Sequence, residues 1–266
     1  MPRRQRARGH SRIVLRRREG KTVLRTLYQD GSSKIRLPRL AGGTLEAVLI
    51  NTAGGVTGGD RFTTEVVLET AGHAVLTTQA CERVYRSAGG VAEVTNRLEV
   101  GAGARLDWLP QETILFDGGR LSRRLDAELA EGAELLAVET TILGRGAMGE
   151  RVQTGSFRDR WRIRRSGRLL FADDLRLEGD IAQLAARPAI LDGNAAMATI
   201  LLVSDSGERL LEAVRAALGD AGGASFWNGR LVARVLAPDG FLLRRILIPV
   251  LGVLMPGRSL PKVWQL

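Results

Sequence analysis

The chain has 266 residues, 44% of them hydrophobic, a formal charge of +10 and one cysteine, Cys81. This composition excludes a disordered or collagen-like polypeptide and allows one large domain or two small ones. A lone cysteine excludes an intramolecular disulfide and fits a reducing compartment, so a cytoplasmic location is expected. The longest apolar run, 246–255, contains Pro249 and Gly252 and is about half the roughly twenty residues that a membrane span needs.

The charge is carried almost wholly by arginine, since the only lysines are Lys21, Lys34 and Lys262. Such an excess fits nucleic acid, an acidic protein partner, or an arginine-rich codon usage with no functional meaning. It starts at once: Arg3, Arg4, Arg6, Arg8, Arg12, Arg16, Arg17 and Arg18 precede the first acidic residue, Glu19. Residues 1–18 are therefore expected to form a mobile basic tail. They are too poor in Ser and Thr for a transit peptide.

Residues 20–180 read as a β-rich body, with short alternating runs such as Thr64 to Glu69 and Ala92 to Leu98 broken by glycine about every ten positions. An internal echo runs through it. Leu68 to Leu76 (LETAGHAVL) and Leu98 to Leu106 (LEVGAGARL) align thirty residues apart, and a shortened copy, LAEGAEL, begins at Leu129. A strand, a glycine turn and a second strand in each copy suggest stacked coils, a β-helix-like or layered body, although a meander of hairpins gives similar spacing.

Residues 180–266 read as a mixed part with helices. Asp180 to Arg187 predicts a short helix stopped before Pro188. Ser206 is placed to cap an amphipathic helix with Leu210, Leu211, Val214, Ala217 and Leu218 on one face. Phe241 to Leu254 is apolar and helical in composition, but Pro249 would kink it. No linker separates these parts, so a single domain, 1–266, is expected.

The glycine-rich segment Asn51 to Asp60 (NTAGGVTGGD) invites a phosphate reading and fails it. Asp60 follows the last glycine where a P-loop needs Lys and a hydroxyl residue, and G-x-G-x-x-G is absent. The glycines allow positive φ and close backbone approach, which also suits a plain structural corner. Three further segments carry definite chemistry: Thr77-Thr78-Gln79 with Val84-Tyr85-Arg86; Trp108 to Ile114 (WLPQETI) with Phe116-Asp117; and Gly144-Arg145 with Met148-Gly149-Glu150. Arg158-Asp159-Arg160-Trp161 is a fourth. Glu112 and Asp117 invite an acid–base reading, yet nothing in the sequence makes them converge, and Cys81 has no activating base beside it. No enzyme activity is expected.

In order and spacing these segments resemble the urease accessory family UreD (UreH). The resemblance rests on Asn51, Thr52, Gly54, Gly55, Gly58, Gly59 and Asp60; Thr77, Thr78, Gln79, Tyr85 and Arg86; Pro110, Gln111 and Glu112; and Gly144, Arg145, Gly149 and Glu150. It covers the first two thirds of the chain and loosens beyond, around Leu231 to Arg234 and Pro261 to Trp264. The family resemblance implies a β-rich stack of strands with a few helices. It also implies a scaffold that binds UreF and the GTPase UreG and docks on apo-urease for nickel insertion, as a possible dimer of heterotrimers.

Tight Ni(II) sites use imidazole and thiolate, and the chain offers only His10, His73 and Cys81. No tightly bound cofactor is therefore expected. Oxygen ligands at Asp60, Glu112, Glu139 and Glu150, helped by Thr77 and Thr78, would hold transient Ni(II) weakly along an internal polar path; Asp117 and Glu178 read rather as arginine partners. The rival reading is a basic β-rich RNA-binding or general protein-interaction module, against which stands the scarcity of aromatics for base stacking.

Overall fold

A computed structural model of the chain describes residues 6–39 and 42–264. Two sheets face one another, with strands numbered in chain order. The first contains β1 (Arg8–Arg18), β2 (Lys21–Gly31), β5 (Arg61–Leu68), β8 (Ala92–Val100), β11 (Arg120–Leu129), β13 (Thr154–Arg165) and β14 (Arg168–Asp180), in the spatial order β14-β13-β11-β8-β5-β1-β2. The second contains β3 (Ser33–Arg36), β4 (Leu45–Asn51), β6 (His73–Thr78), β9 (Arg105–Leu109), β12 (Glu134–Leu143), β15 (Ala196–Val203), β16 (Gly222–Trp227) and β17 (Arg230–Ala237), in the order β16-β17-β15-β12-β9-β6-β4-β3. Short strands β7 (Glu82–Val84) and β10 (Thr113–Leu115) extend it from β12.

The centre is a β-solenoid-like stack. The chain alternates between sheets, so β5, β8, β11 and β13 pair in parallel on one side and β4, β6, β9 and β12 on the other. Antiparallel hairpins close both ends of the first sheet, β1 with β2 and β13 with β14. The internal echo marks these coils, but the register is set by packing rather than by identity. Leu68 lies opposite Val100, not Leu98, and Leu76 opposite Trp108, not Leu106. A shift of two residues keeps every side chain on the same face, and it places the large Trp108 in the core beside the small Ala137 of the next coil.

The first eighteen residues are not a tail where the structure describes them. Arg8–Arg18 is a strand, antiparallel to β2 and parallel to β5. Its arginines alternate with Ser11, Ile13 and Leu15, all fully buried. Charge counting missed this because a strand needs apolar residues on one face only. Residues 1–5, with Arg3 and Arg4, lie outside the described residues.

The second sheet is covered on both faces. Its outer side packs under α2 (Gly207–Leu218) and α3 (Gly240–Leu254) through Val214, Leu218, Leu243, Leu247 and Leu251. A shorter helix, α1 (Ile181–Ala186), is capped by Asp180 accepting from the Gln183 amide and ends at Arg187, before Pro188. Ser206 precedes α2 but makes no capping bond, its hydroxyl being engaged with Ser204. Asp239 caps α3, which continues through the exposed Pro249 to Leu254. Among the described residues no helix is long and apolar enough to cross a membrane.

The chain after α3 is fastened back to the coils. Arg258 and His73 both bond to the carboxylate of Asp107, which is fully buried and is also met by Arg105. Burial raises the Asp107 pKa, but His73, Arg105 and Arg258 together outweigh it and hold the group below the usual carboxylate value. The Trp264 indole donates to the carbonyl of Leu109 at 3.0 Å. Because β1 supplies two fully buried side chains to the core, Ile13→Ala is expected to lower unfolding free energy by about 2–5 kcal/mol. Chemical denaturation checks this; an unchanged midpoint would return the segment to the status of a loose tail.

A polar layer and cavity within the strand stack

The interior is apolar on two levels with a polar layer between them. One cluster contains Ile13, Leu68, Leu98, Leu106 and Leu129, the other Val56, Val84, Leu115, Leu121 and Phe157. Between them, Ser11, Thr64 and Asn96 stand opposite one another along β1, β5 and β8, and Arg123 stands opposite Asp159 on β11 and β13. All of these point inward because they share the parity of the buried core residues on their strands.

Arg123 is the centre of this layer. It is 5% exposed and binds Asp159 of its own sheet through two nitrogens, at 3.1 and 2.7 Å, and Glu139 of the facing sheet at 2.5 Å. Thr113 accepts a further bond at 2.9 Å. The carboxylates are held in turn: the Trp108 indole donates to Glu139 at 2.9 Å and the Trp161 indole to Asp159 at 3.2 Å. Two acids on one guanidinium leave a surplus negative charge in a low-dielectric site. Burial, aided by repulsion from Asp159, outweighs the attraction to Arg123 and leaves the Glu139 carboxyl well above its usual pKa.

Beside this group lies a cavity of about 260 Å³ whose wall includes Asn51, Gln79, Glu82, Pro110, Gln111 and Glu139. Asn51 donates to both oxygens of Glu82 at 3.1 Å. Burial lifts the Glu82 pKa to about 6 in spite of that bond. The side-chain nitrogen of Gln111 is buried with no hydrogen-bond partner.

The sequence segments converge here. The Tyr85 hydroxyl donates to the carbonyl of Gly54, its ring packs edge-on to Phe116, and Arg86 pairs with Asp117. The Gln111 amide donates to Thr78 at 2.9 Å, and the amide of Gln79 bonds to Leu49. The glycines are sites of close approach. A Cβ on Gly55, at φ 144°, would lie 2.4 Å from the Tyr85 ring, and one on Gly58 would lie 2.0 Å from the Ser87 hydroxyl. Thr52 bonds to the Ser32 carbonyl, and Gly59 lies in the same turn at φ 92°. Gly144 donates its amide to Leu115, tying the Gly144 to Glu150 loop to the strand that follows Glu112. Gly149, left-handed at φ 71°, ends the short turn after Arg145.

The four carboxylates expected to meet nickel are placed in four different settings. Asp60 is buried and accepts backbone amides from Ala7 at 2.9 Å and Thr57 at 2.8 Å, which makes it the lock of the glycine turn. Glu112 pairs with Arg244 of α3 at 2.9 Å. Glu150 pairs with Arg145 at 2.6 Å, and Arg145 stacks over Phe116. Only Glu139 borders the cavity. Of the threonines, Thr78 lines it, whereas Thr77 is buried on the other face of β6. Among the described residues no group of three or more His, Cys, Asp or Glu could hold a metal ion. Reading the sequence missed Glu82 and Arg123. The position of Glu82 between two matching segments was an available signal; Arg123 sits in an alternating strand whose arginines look alike until the facing sheet is known.

Two outcomes follow from these charges. Replacing Arg123 by Met leaves Glu139 and Asp159 buried without their cation, so stability is expected to fall by about 3–5 kcal/mol, measured by urea unfolding at pH 7. A raised carboxyl pKa means that the native state holds a proton the unfolded chain releases, so stability is full below about pH 4.5 and declines as pH rises through about 6 at Glu82. Glu82→Gln should flatten that decline, and midpoints compared at about pH 5 and pH 8 test it.

A family model described as UreD urease accessory protein matches residues 7–265. The Urease accessory protein UreD of Rhizobium etli is 56% identical over 263 residues, covering 98% of this chain and 96% of that protein. That of Agrobacterium fabrum is 51% identical over 264 residues, covering 99% and 93%, and Urease accessory protein UreD 1 of Brucella abortus is 48% identical over 266 residues, covering 98% and 95%. The match extends through the helical third, where the resemblance of motifs had thinned. The chain belongs to the UreD family of urease accessory proteins, and its role lies in urease maturation.

Proposed function

We propose that the protein is a scaffold that binds UreF and UreG, docks on apo-urease and assists delivery of nickel to its metallocentre. The observation that carries the delivery part is the polar layer inside the strand stack, with a cavity beside it bordered by Glu82 and Glu139. A β stack of this size gains most by filling its interior with apolar side chains, and burying carboxylates costs stability unless they are paired. Among the described residues Glu82 is met by the Asn51 side chain and the Arg83 backbone but by no cation, so it is the oxygen donor best suited to a cation in transit. Glu139 has both oxygens engaged and borders the same space. Oxygen donors of this kind bind Ni(II) weakly compared with imidazole or thiolate, which suits passage rather than storage.

The scaffold part is supported by family membership and by the outer side of α3, where Phe241 and Ile248, one above the other on the helix, are 70% and 39% exposed. Its test is co-purification of the full chain with UreF, UreG and apo-urease from the same organism. Association with them is expected, and a monodisperse protein that ignores all three would refute the reading. For the delivery part, Glu82→Gln is expected to reduce nickel-dependent urease activation several-fold while leaving complex assembly intact. Activation equal to wild type at equal assembly would remove Glu82 from the path.

A further inference from the structure

The outer face of the first sheet carries an arrangement of charge that its own fold does not neutralise. On β13 the outward positions are Arg158, Arg160, Arg162 and Arg164, alternating with the inward Phe157, Asp159, Trp161 and Ile163. Across the sheet Arg160 stands opposite Arg124 of β11, and Arg158 opposite Arg176 of β14. Like charges placed directly opposite on one face destabilise a sheet.

The other half of the same sheet is built differently. Glu65 of β5 is ringed by His10, Arg12 and Arg97, and Arg61 pairs with Glu93. In the β11-β13-β14 half, Arg158 pairs with Asp174, Arg176 with Glu178 and Arg124 loosely with Asp126 at 3.7 Å. Arg162 donates to the carbonyls of Trp161 and Asp173. Arg160 and Arg164 form no ion pair among the described residues, although Asp174 and Glu128 stand opposite them, and positive charge remains in excess on this face. Burial together with Arg124, Arg158 and Arg162 lowers the Arg160 pKa against the pull of Asp126, so the crowding is felt at that residue.

We infer that the arginine-bearing face of β11, β13 and β14 is the docking surface for an acidic protein surface in the urease assembly. The inference rests on the scaffold reading and adds to it a face and a partner chemistry. Repulsion among Arg124, Arg158, Arg160 and Arg162 is relieved when carboxylates of a partner settle between them, and bidentate guanidinium–carboxylate pairs suit a flat, rigid sheet. The area suits a modest contact. Strands β11, β13 and β14, spaced about 4.8 Å apart and roughly twelve residues long, present on the order of 600 Å², below the ~800 Å² that one partner gives to an ordinary interface and in the range of a transient one.

A protein fits better than a nucleic acid. In this half the aromatic residues Phe157, Trp161 and Phe171 are buried on the inner side, so no stacking platform is offered to bases. Asp126 and Asp174 lie among the arginines, where they would oppose a continuous phosphate backbone but accept a partner surface of mixed charge.

The experiment compares the full chain with the double variant Arg124→Glu/Arg160→Glu. Binding to purified UreF, UreG and apo-urease is measured for each at low and high salt. Affinity for one of the three is expected to fall at least about tenfold at low salt, with a flatter salt dependence, while binding to the others persists. Arg124→Gln/Arg160→Gln guards against misfolding: it should keep or raise the unfolding midpoint, because it removes repulsion, and should weaken the same association. Arg16→Glu/Arg18→Glu, near the opposite edge, should leave binding unchanged. If wild type binds a partner and both arginine-pair variants bind all three equally well, the surface is overturned while the scaffold reading stands. An equal loss in the Arg16/Arg18 variant would overturn it too, as a nonspecific charge effect. If wild type binds none of the three, the scaffold reading fails and the docking face with it. Tight binding of a single-stranded RNA, abolished in the Arg124/Arg160 variants, would overturn the choice of a protein occupant.

Discussion

One guanidinium joins the two halves of the strand stack. Arg123 reaches from the first sheet to Glu139 of the second while holding Asp159 beside it, and two indoles and a threonine complete the shell. Elsewhere the sheets meet mostly through hydrocarbon, which is tolerant of small shifts, apart from the Arg234–Asp173 pair toward one end and the bond from the His73 amide to the Thr22 hydroxyl toward the other. A buried ion group is not, because each member displaced from its partner is left charged in an apolar medium. The polar layer therefore sets the relative position of the two sheets at the level of the cavity, and the segments that converge there inherit that precision.

The same arrangement separates two demands. Stability comes from the apolar levels on either side and from the helices over the second sheet, whereas the polar level costs stability and carries the groups capable of meeting a cation. Asp60, Glu112 and Glu150 belong with the first demand: each closes a turn or fastens one element to another. Glu82 belongs with the second, having an amide but, among the described residues, no cation against it.

Much of the fold was legible in the sequence. Alternation announced the strands, and the echo at Leu68, Leu98 and Leu129 announced stacked coils, because a coil that repeats must repeat its turn. What eluded the sequence was information held between strands. The two-residue slip that puts Leu68 beside Val100 depends on fitting Trp108 against the next coil. The opening arginines looked like a tail because the partner of Ile13 and Leu15 is β5, distant in sequence. For the site, motif residues were found and their grouping around one cavity was not, since Asn51, Glu82, Gln111, Arg123 and Glu139 meet only once three coils have stacked.

The fastening of the region after α3 has a consequence for the timing of synthesis. Asp107 and Arg258 are 151 residues apart in sequence, and Glu112 and Arg244 are 132 apart. At a translation rate of about 5–20 residues per second, Arg258 is made roughly 8–30 s after Asp107. Through that interval the nascent coils carry an acid that only His73 and Arg105 attend, and a sheet whose outer apolar side has no helices over it. The protein thus passes through a stage with a sticky, half-covered sheet on every round of translation, and that stage is where a cellular chaperone would be most needed.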